Sequence, residues 1–173
     1  IGVEKVYKKG SSVRITIFNT SVDNLIEYDT GTFSYTQATN SRKSQGIEFE
    51  GRWLASDTIS VDGSYAYVDA KTGTEVAARV PGHDLSLSIS ANIIPKVNSN
   101  LEINHIMDYK DTVSGSLVDM PDYTVTNLAV SYDISNNLLG YVRVQDLMDT
   151  DYETVKDFNT GGRQIFAGIR ATF

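Results

Sequence analysis

The chain alternates apolar with polar residues along most of its length. From residue 165 to residue 173 every second side chain is apolar, and the residues between them are polar or small with the one exception of Phe166. A period of two is the mark of a β-strand with two different faces. No segment sustains a helical period. The alternation predicts nine strands, at residues 1–8, 12–28, 38–54, 57–70, 83–94, 99–110, 122–134, 137–148 and 162–173.

The links between these predicted strands are short and long in turn. The short links read KKGSS, ASDT, IPKVNSN and ISNN. The long, polar links read YDTGTFSYTQ, DAKTGTEVAARVPG, YKDTVSGSLVDMPD and DTDYETVKDFNTGG. An antiparallel meander with short turns on one rim and long loops on the other is typical of outer-membrane barrels.

The two faces of the predicted strands differ in kind. One face is aliphatic and aromatic, and the other carries charged and hydroxyl side chains, including Arg14, Glu48, Glu50, Arg52, Asp62, Ser88, Arg143 and Arg170. In a soluble sandwich the apolar face would form the core, whereas in a membrane barrel it meets lipid. The alternation alone does not distinguish a soluble sandwich from a membrane barrel. Strands of about 10 to 12 residues, tyrosines near strand ends and the unequal rims favour the barrel.

Composition and charge narrow the classes further. No apolar run reaches the roughly 18–20 residues that a membrane-spanning helix needs, so a helical membrane protein is excluded. The net charge of -7 argues against a nucleic-acid surface, which needs clustered Lys and Arg. The chain has no cysteine, which excludes a disulfide framework and a thiolate metal site.

The sequence offers little support for catalysis. His83 begins a strand and His105 lies on the apolar face of another, where a histidine is more often packed or interfacial than a ligand. No nucleophile, base and orienting acid form a recognisable motif. The aspartates of DTDYE and YKD have the oxygen chemistry that Ca²⁺ prefers, but no EF-hand spacing is present, so we expect solvated loop acids. The sequence predicts no enzyme, no cofactor and no metal site.

Four stretches are more specific than the periodicity. They are NSRKSQGIEFEG at residues 40–51, ARVPGHDLSLSI at 78–89, VRVQDLMDTDYETV at 142–155 and GRQIFAGIRATF at 162–173. In this order and spacing they resemble the last strands of TonB-dependent outer-membrane receptors. The resemblance covers essentially the whole chain. DYETV and TGGR look most like the vitamin B12 receptor branch, and siderophore receptors share much of the rest.

The resemblance implies a fold and a set of partners. Receptors of this family have 22 strands and an N-terminal plug domain, so we expect an all-β, antiparallel transmembrane barrel segment of about nine strands. The implied function is active uptake of cobalamin or a ferric siderophore, energised through TonB in the bacterial outer membrane. The implied partners are outer-membrane lipid, the rest of the barrel, the plug, TonB, the barrel assembly machinery and the nutrient.

The resemblance also suggests roles for individual residues. The lumen candidates, which would face the plug, are Arg14, Glu48, Glu50, Arg52, Asp62, Arg143 and Arg170. In the family a terminal aromatic residue is part of the signal for barrel assembly, which here implies Phe173 with Ala171 and Ile169. On the apolar face, Ile89, Val130 and Ile169 are expected to contact lipid.

Nine strands are under half of such a barrel. Residues 1–173 are therefore expected to be the C-terminal part of a receptor barrel without plug or TonB box, or to be completed by a partner. Two alternatives stay open: a small closed barrel of eight to ten strands with a structural or adhesive role, and a soluble β-sandwich binding module. A regular ladder between residues 1–8 and 162–173 would favour the small barrel.

Overall fold

A computed structural model of the chain describes residues 1–29 and 31–172. Nine long strands form one antiparallel path. They are β1 (Gly2–Val6), β2 (Ser12–Val22), β5 (Arg42–Leu54), β6 (Ile59–Thr72), β8 (His83–Ala91), β9 (Val97–Met107), β12 (Tyr123–Ser135), β13 (Leu138–Gln145) and β16 (Gln164–Ala171). A short strand, β7 (Glu75–Val76), pairs with β6 beside this path and completes a ten-stranded sheet.

Three further hairpins lie in the long links. They are β3 (Ile26–Asp29) with β4 (Ser34–Gln37), β10 (Tyr109–Val113) with β11 (Ser116–Met120), and β14 (Glu153–Val155) with β15 (Phe158–Asn159). The short links are tight turns. The first contains a single 3-10 turn at Lys8–Gly10, in which Gly10 takes a φ of 83°, a left-handed conformation that glycine adopts without a steric penalty.

The register of the sheet keeps the two faces apart. Glu4 stands opposite Arg14, and Arg14 stands opposite Glu50 on the next strand. One row across the sheet is polar on six successive strands. It consists of Ser12, Arg52, Asp62, Ser88, Glu102 and Asn127. Because side chains alternate along each strand, this register places the charged residues together on one side, called here the polar face, and the aliphatic residues on the other, the apolar face.

The apolar face has no second layer packed on it in the part of the chain that the structure describes. Ile165 and Ile169 are 68% and 70% exposed, and Trp53 is 61% exposed. In a β-sandwich such side chains would form the core between two sheets. The sheet is therefore built for lipid on this face, as expected for a barrel wall.

The buried residues lie instead near the rim of long loops. Ala70, Ala77, Tyr109 and Met120 are the buried hydrophobic residues in the described ranges. Each lies in a loop or at the end of a strand that leads into one. Within residues 1–29 and 31–172, compact packing is thus found where the loops meet the end of the sheet.

The nine predicted strands are confirmed, but several predicted boundaries were too long. The segment 12–28 ends as a strand at Val22, and its last residues belong to the β3–β4 hairpin. The segment 99–110 likewise runs past the end of β9 into β10. In the segment 99–110 the period of two continues from Met107 to Tyr109, so the pattern shows no break, whereas in 12–28 the turn residues Asp23 and Asn24 mark a break that the prediction passed over.

Candidate functional site: the polar face and the loop rim

The polar face begins with a cluster of charges on β1, β2 and β5. Arg14 lies between two carboxylates: its Nη2 donates to Glu4 Oε2 at 3.0 Å, and its Nη1 is 3.3 Å from Glu50 Oε2. All three side chains are about half exposed. Exposed ion pairs contribute little to stability, so the arrangement is better understood as a prepared hydrogen-bonding surface than as a stabilising core.

The next pair along the face joins β5 to β6. Arg52 Nη1 is 3.6 Å from Asp62 Oδ1, and the two residues are direct partners in the ladder. Further along the same row, Asn127 Nδ2 donates to Glu102 Oε2 at 3.3 Å. Between these pairs, Ser88 accepts a hydrogen bond from Asn100 at 2.8 Å.

The remaining lumen candidates lie on the same face at different places. Glu48 stands opposite Thr16 and Ala66. Arg143 is far along the sheet on β13, where its guanidinium lies 4.6 Å from the centre of the Phe166 ring. Arg170 stands opposite Leu139. The structure thus brings Arg14, Glu50, Arg52 and Asp62 together and leaves Arg143 and Arg170 as a separate group.

An open cavity lies along the polar face. Its volume is about 360 Å³, and residues of six successive strands line it, from Glu4 on β1 to Glu102 on β9, with Arg14, Arg52 and Asp62 between them. A lumen lined by charged and hydroxyl groups is the arrangement found inside outer-membrane barrels.

Above the sheet, one buried carboxylate joins three of the long loops. Asp111 is 1% exposed and accepts hydrogen bonds from Arg79 Nε at 2.6 Å, from its neighbour Thr112 N at 2.7 Å and from Lys156 N at 2.8 Å. Arg79 belongs to the β6–β8 loop and Lys156 to the β14–β15 hairpin. We call Arg79, Asp111 and Lys156 the loop lock.

Other contacts reinforce the loop lock. The Tyr109 hydroxyl donates to Thr154 O at 2.8 Å, and Arg79 N donates to Lys110 O at 2.8 Å. Tyr123 and Tyr152 stack with their ring centres 4.5 Å apart. The second, third and fourth long loops therefore form one connected unit above the rim.

The electrostatics of the loop lock follow from these hydrogen bonds. The guanidinium of Arg79 and the two backbone N–H groups lower the pKa of Asp111 from 3.8 to about 2. The same pairing raises the pKa of Arg79 above its ordinary value. Asp111 is thus a stable anion held by a stable cation, which suits a structural link rather than proton transfer.

The sequence did not reveal the loop lock. Asp111, in YKD, was expected to be a solvated loop acid, and this was wrong: the β10–β11 hairpin and the fourth loop cover it. Its partners stand 32 and 45 residues away, at no spacing that a pattern could detect. Asp149, in DTDYE, is exposed as expected and accepts a hydrogen bond from Arg163 N at 2.8 Å.

The two histidines have hydrogen-bonding partners on the apolar face. Tyr65 and His83 are joined through the Tyr hydroxyl and Nδ1 at 2.7 Å, and His105 Nδ1 is 2.8 Å from Thr124 Oγ1. In residues 1–29 and 31–172, no group of three or more His, Cys, Asp or Glu side chains is arranged to hold a metal ion. Within the same residues, no helix is long and apolar enough to cross a membrane.

Two of the three residues of the suggested assembly signal lie in the described part of the chain. Ile169 and Ala171 stand opposite Gly140 and Leu138, on the apolar face of β16. Phe173 lies outside the described residues. The signal itself stays a prediction.

Comparison with known proteins identifies the family. Residues 1–148 match the family model described as TonB dependent receptor-like, beta-barrel. The chain therefore belongs to the TonB-dependent receptors, a family of outer-membrane transport receptors, and is an antiparallel segment of their β-barrel. Its location is the outer membrane of Gram-negative bacteria.

Individual relatives match over only part of their length. The metal-pseudopaline receptor CntO of Pseudomonas aeruginosa is 25% identical over 149 residues, which cover 80% of this chain and 21% of the relative. The pyoverdine receptor FpvA of Pseudomonas aeruginosa, solved with pyoverdine bound, superimposes with a TM-score of 0.82 at 19% identity over 99% of this chain and 29% of that one. The siderophore receptor PiuA of Acinetobacter baumannii superimposes with a TM-score of 0.78 at 16% identity, over 98% of this chain and 27% of that one. The chain thus spans less than a third of these proteins.

Proposed function

We propose that residues 1–173 form part of the barrel wall of an outer-membrane receptor that actively takes up a scarce nutrient, energised through TonB. The observation that carries the proposal is the loop lock. Three of the four long loops are joined above one rim through a single buried carboxylate. Loops fixed in this way present a preorganised surface, and preorganisation reduces the entropy lost when a ligand binds.

The cargo that we propose is a metal carried in a small organic complex, either a ferric siderophore or the cobalt complex cobalamin. Relatives named for metal-pseudopaline and pyoverdine support the siderophore-like choice. The stretches DYETV and TGGR, which resemble the vitamin B12 receptor branch, support cobalamin. The chemistry common to both is a bulky polar complex that loops can enclose.

The polar face has a separate role in this proposal. Glu48, Glu50 and Arg52 alternate along β5 at steps of about 7 Å and point to one side. We propose that they contact a plug domain supplied by another part of the receptor, and that TonB acts on that plug. The barrel wall would then be a rigid support that carries out no chemistry.

A small closed barrel with a structural or adhesive role is less well supported. Among the described residues, β1 and β16 stand at opposite ends of the strand path and are not partners. A barrel that closed on itself would pair them.

Uptake by cells tests the proposal. Cells that produce the whole receptor should accumulate a radiolabelled ferric siderophore or labelled cobalamin, and deletion of tonB should abolish the accumulation. An Arg79→Gln receptor, with its loop lock broken, should take up less, whereas Asp57→Asn in a short turn on the opposite rim should not change uptake. Uptake that is independent of TonB, or none for either class of complex, would contradict the proposal.

A further inference from the structure

A polar recess lies at the rim of long loops, between the β6–β7 turn and the tip of the β10–β11 hairpin. Its volume is about 490 Å³. The polar side chains that line it are Asn40, Thr72, Thr74, Glu75 and Thr112, and the apolar ones include Ala77 and Leu117. Thr72 is an even number of residues from Asp62 on the same strand, and the ladder between β5 and β6 runs without a shift. The recess therefore lies on the lumen side of the wall.

The two walls of the recess are held by contacts within the chain. On one side β7 pairs with the end of β6, and the backbone N–H of Ala77 donates to Ala70 O at 2.8 Å. On the other side Thr112 directly follows Asp111, the buried carboxylate of the loop lock. The loop lock therefore fixes the position of the second wall, and a recess that keeps its shape without a ligand loses less entropy on binding.

Glu75 is the only charged side chain among the described residues that line the recess. It is exposed and stands opposite Thr72 in the β6–β7 ladder. Within residues 1–29 and 31–172 no lysine, arginine or histidine forms an ion pair with it. The recess thus presents one unpaired carboxylate with hydroxyl groups beside it.

The basic side chains of the four long links are already paired. The pairs are Lys71 with Asp69, Arg79 with Asp111, Lys110 with Asp119 and Lys156 with Glu153. The long links hold ten acidic and four basic residues, whereas the rest of the chain holds twelve and eleven. The excess of negative charge is therefore concentrated at this rim, where it attracts cations.

A bare metal ion does not fit the recess. Calcium takes six to eight oxygen ligands and prefers several carboxylates, whereas the described lining offers one. A primary ammonium group fits better, because it has one positive charge and three N–H donors. The carboxylate of Glu75 and the hydroxyl oxygens of Thr72 and Thr112 are suitable acceptors.

We propose that the recess binds a primary ammonium group at the end of a short aliphatic arm, carried by a ferric siderophore. The ammonium donates to Glu75, and the methylene groups of the arm contact Ala77 and Leu117. This inference rests on the uptake function proposed above and specifies the charge of the cargo. The cargo is a siderophore with a cationic arm rather than an anionic complex such as a ferric tris-catecholate.

The test compares two ferric complexes that differ only at the arm. Both are linear trihydroxamates; one ends in a primary ammonium group, and in the other this amine is acetylated. Isothermal titration calorimetry with the purified whole receptor gives the two dissociation constants. Glu75→Gln removes the charge and keeps the shape, and Thr74→Trp fills the recess. The matched control is Glu27→Gln, which removes one charge from the β3–β4 hairpin at a residue that does not line the recess.

The unmodified receptor should bind the ammonium complex about tenfold more tightly than the acetylated one, because a hydrogen bond to a charged group is worth more than a neutral one. Glu75→Gln should bring the two affinities together, and Thr74→Trp should weaken binding of the ammonium complex. Glu27→Gln should leave the tenfold ratio unchanged. The ratio does not depend on how much of a variant is folded, since both complexes report on the same folded fraction.

Three results would overturn the recess as a cation site: equal affinities in the unmodified receptor, no binding of either complex, or tighter binding of a ferric tris-catecholate. An equal loss of the ratio in Glu27→Gln and Glu75→Gln would also overturn it, because the net charge of the rim would then select the cation. TonB-dependent uptake of a catecholate by cells would leave the proposed uptake function intact, so the two failures are distinguishable.

Discussion

Asp111 shows how one residue can organise a rim of loops. Its folded-state pKa of about 2 lies below the ordinary 3.8, so its contribution to the folded loops is present above about pH 3.8 and is lost as the pH falls towards 2. We predict that Asp111→Asn makes the loops more sensitive to limited proteolysis at pH 7, because the neutral amide pairs poorly with Arg79.

The control for that prediction is in the same hairpin. Asp119 pairs with Lys110, but its side chain is 84% exposed, so Asp119→Asn should leave the cleavage rate unchanged. Hydrogen exchange of the unmodified loops should accelerate between pH 4 and pH 2, after correction for the intrinsic rate. Equal protection in the two variants would mean that the charge of Asp111 is irrelevant to loop order.

Asp146 leads to a second prediction at the scale of one residue. It is 4% exposed, and neither carboxylate oxygen has a hydrogen-bond partner in the described part of the chain, although its backbone N–H donates to Asn127. A buried charge without a partner costs more than a buried amide. Asp146→Asn should therefore raise the free energy of unfolding by roughly 1–3 kcal/mol, measured by urea denaturation of the refolded receptor. Lower stability would show that the carboxylate has a partner in the whole protein.

At the scale of strands, the sequence was sufficient to predict most of the wall. Residues such as Arg14 and Ile15 point to opposite sides because they are neighbours on one strand, and a period of two is a local property that a sequence displays directly. The loop lock is not local, because Asp111 takes its partners from loops far along the chain. The three loop hairpins were missed for another reason: they lie in long polar links, rich in turn residues, that were interpreted as loops.

The assignment of the two faces can be tested on neighbouring residues of β8. Ile89 lies on the apolar face and Ser88 on the polar face, where it accepts a hydrogen bond from Asn100. Ile89→Arg should cost roughly 2–4 kcal/mol if the residue is near the bilayer midplane, measured by reversible unfolding in lipid vesicles. Ser88→Arg is the control and should be tolerated, because its side chain enters the wet lumen. If Ser88→Arg destabilised the receptor more than Ile89→Arg, the assignment of the two faces would be wrong.

The last strand gives the next prediction, which concerns assembly. Ile169 and Ala171 lie on the apolar face of β16, and in the sequence the spacing of two continues to Phe173. Phe173→Ser should lower the amount of receptor inserted in the outer membrane, measured by surface labelling, whereas Thr172→Ala should not. If the two variants insert equally well, the aromatic residue has no part in the signal.

The whole molecule is defined by its open sheet. The path runs from β1 to β16 across nine strands, and the polar face between them carries ion pairs whose side chains are about half exposed, which suits a wide lumen better than the filled interior of a narrow barrel. Unpaired strand edges are not tolerated in lipid, because water cannot satisfy their backbone groups. We therefore propose that both edges pair with protein outside residues 1–173, which is what a 22-stranded receptor barrel would supply.

The distance between the two edge strands, β1 and β16, tests this proposal. Eight strand spacings of about 4.8 Å separate β1 from β16 along the wall, so spin labels at Glu4→Cys and Gln164→Cys in the whole receptor should lie roughly 30–40 Å apart by pulsed electron resonance. The chain has no cysteine of its own. A label pair at Glu4→Cys and Glu50→Cys, two strand spacings apart on the same row, gives a short reference distance. A separation of one spacing between the edges would mean that β1 and β16 pair directly and close a small barrel, and the proposal of a larger wall would fail.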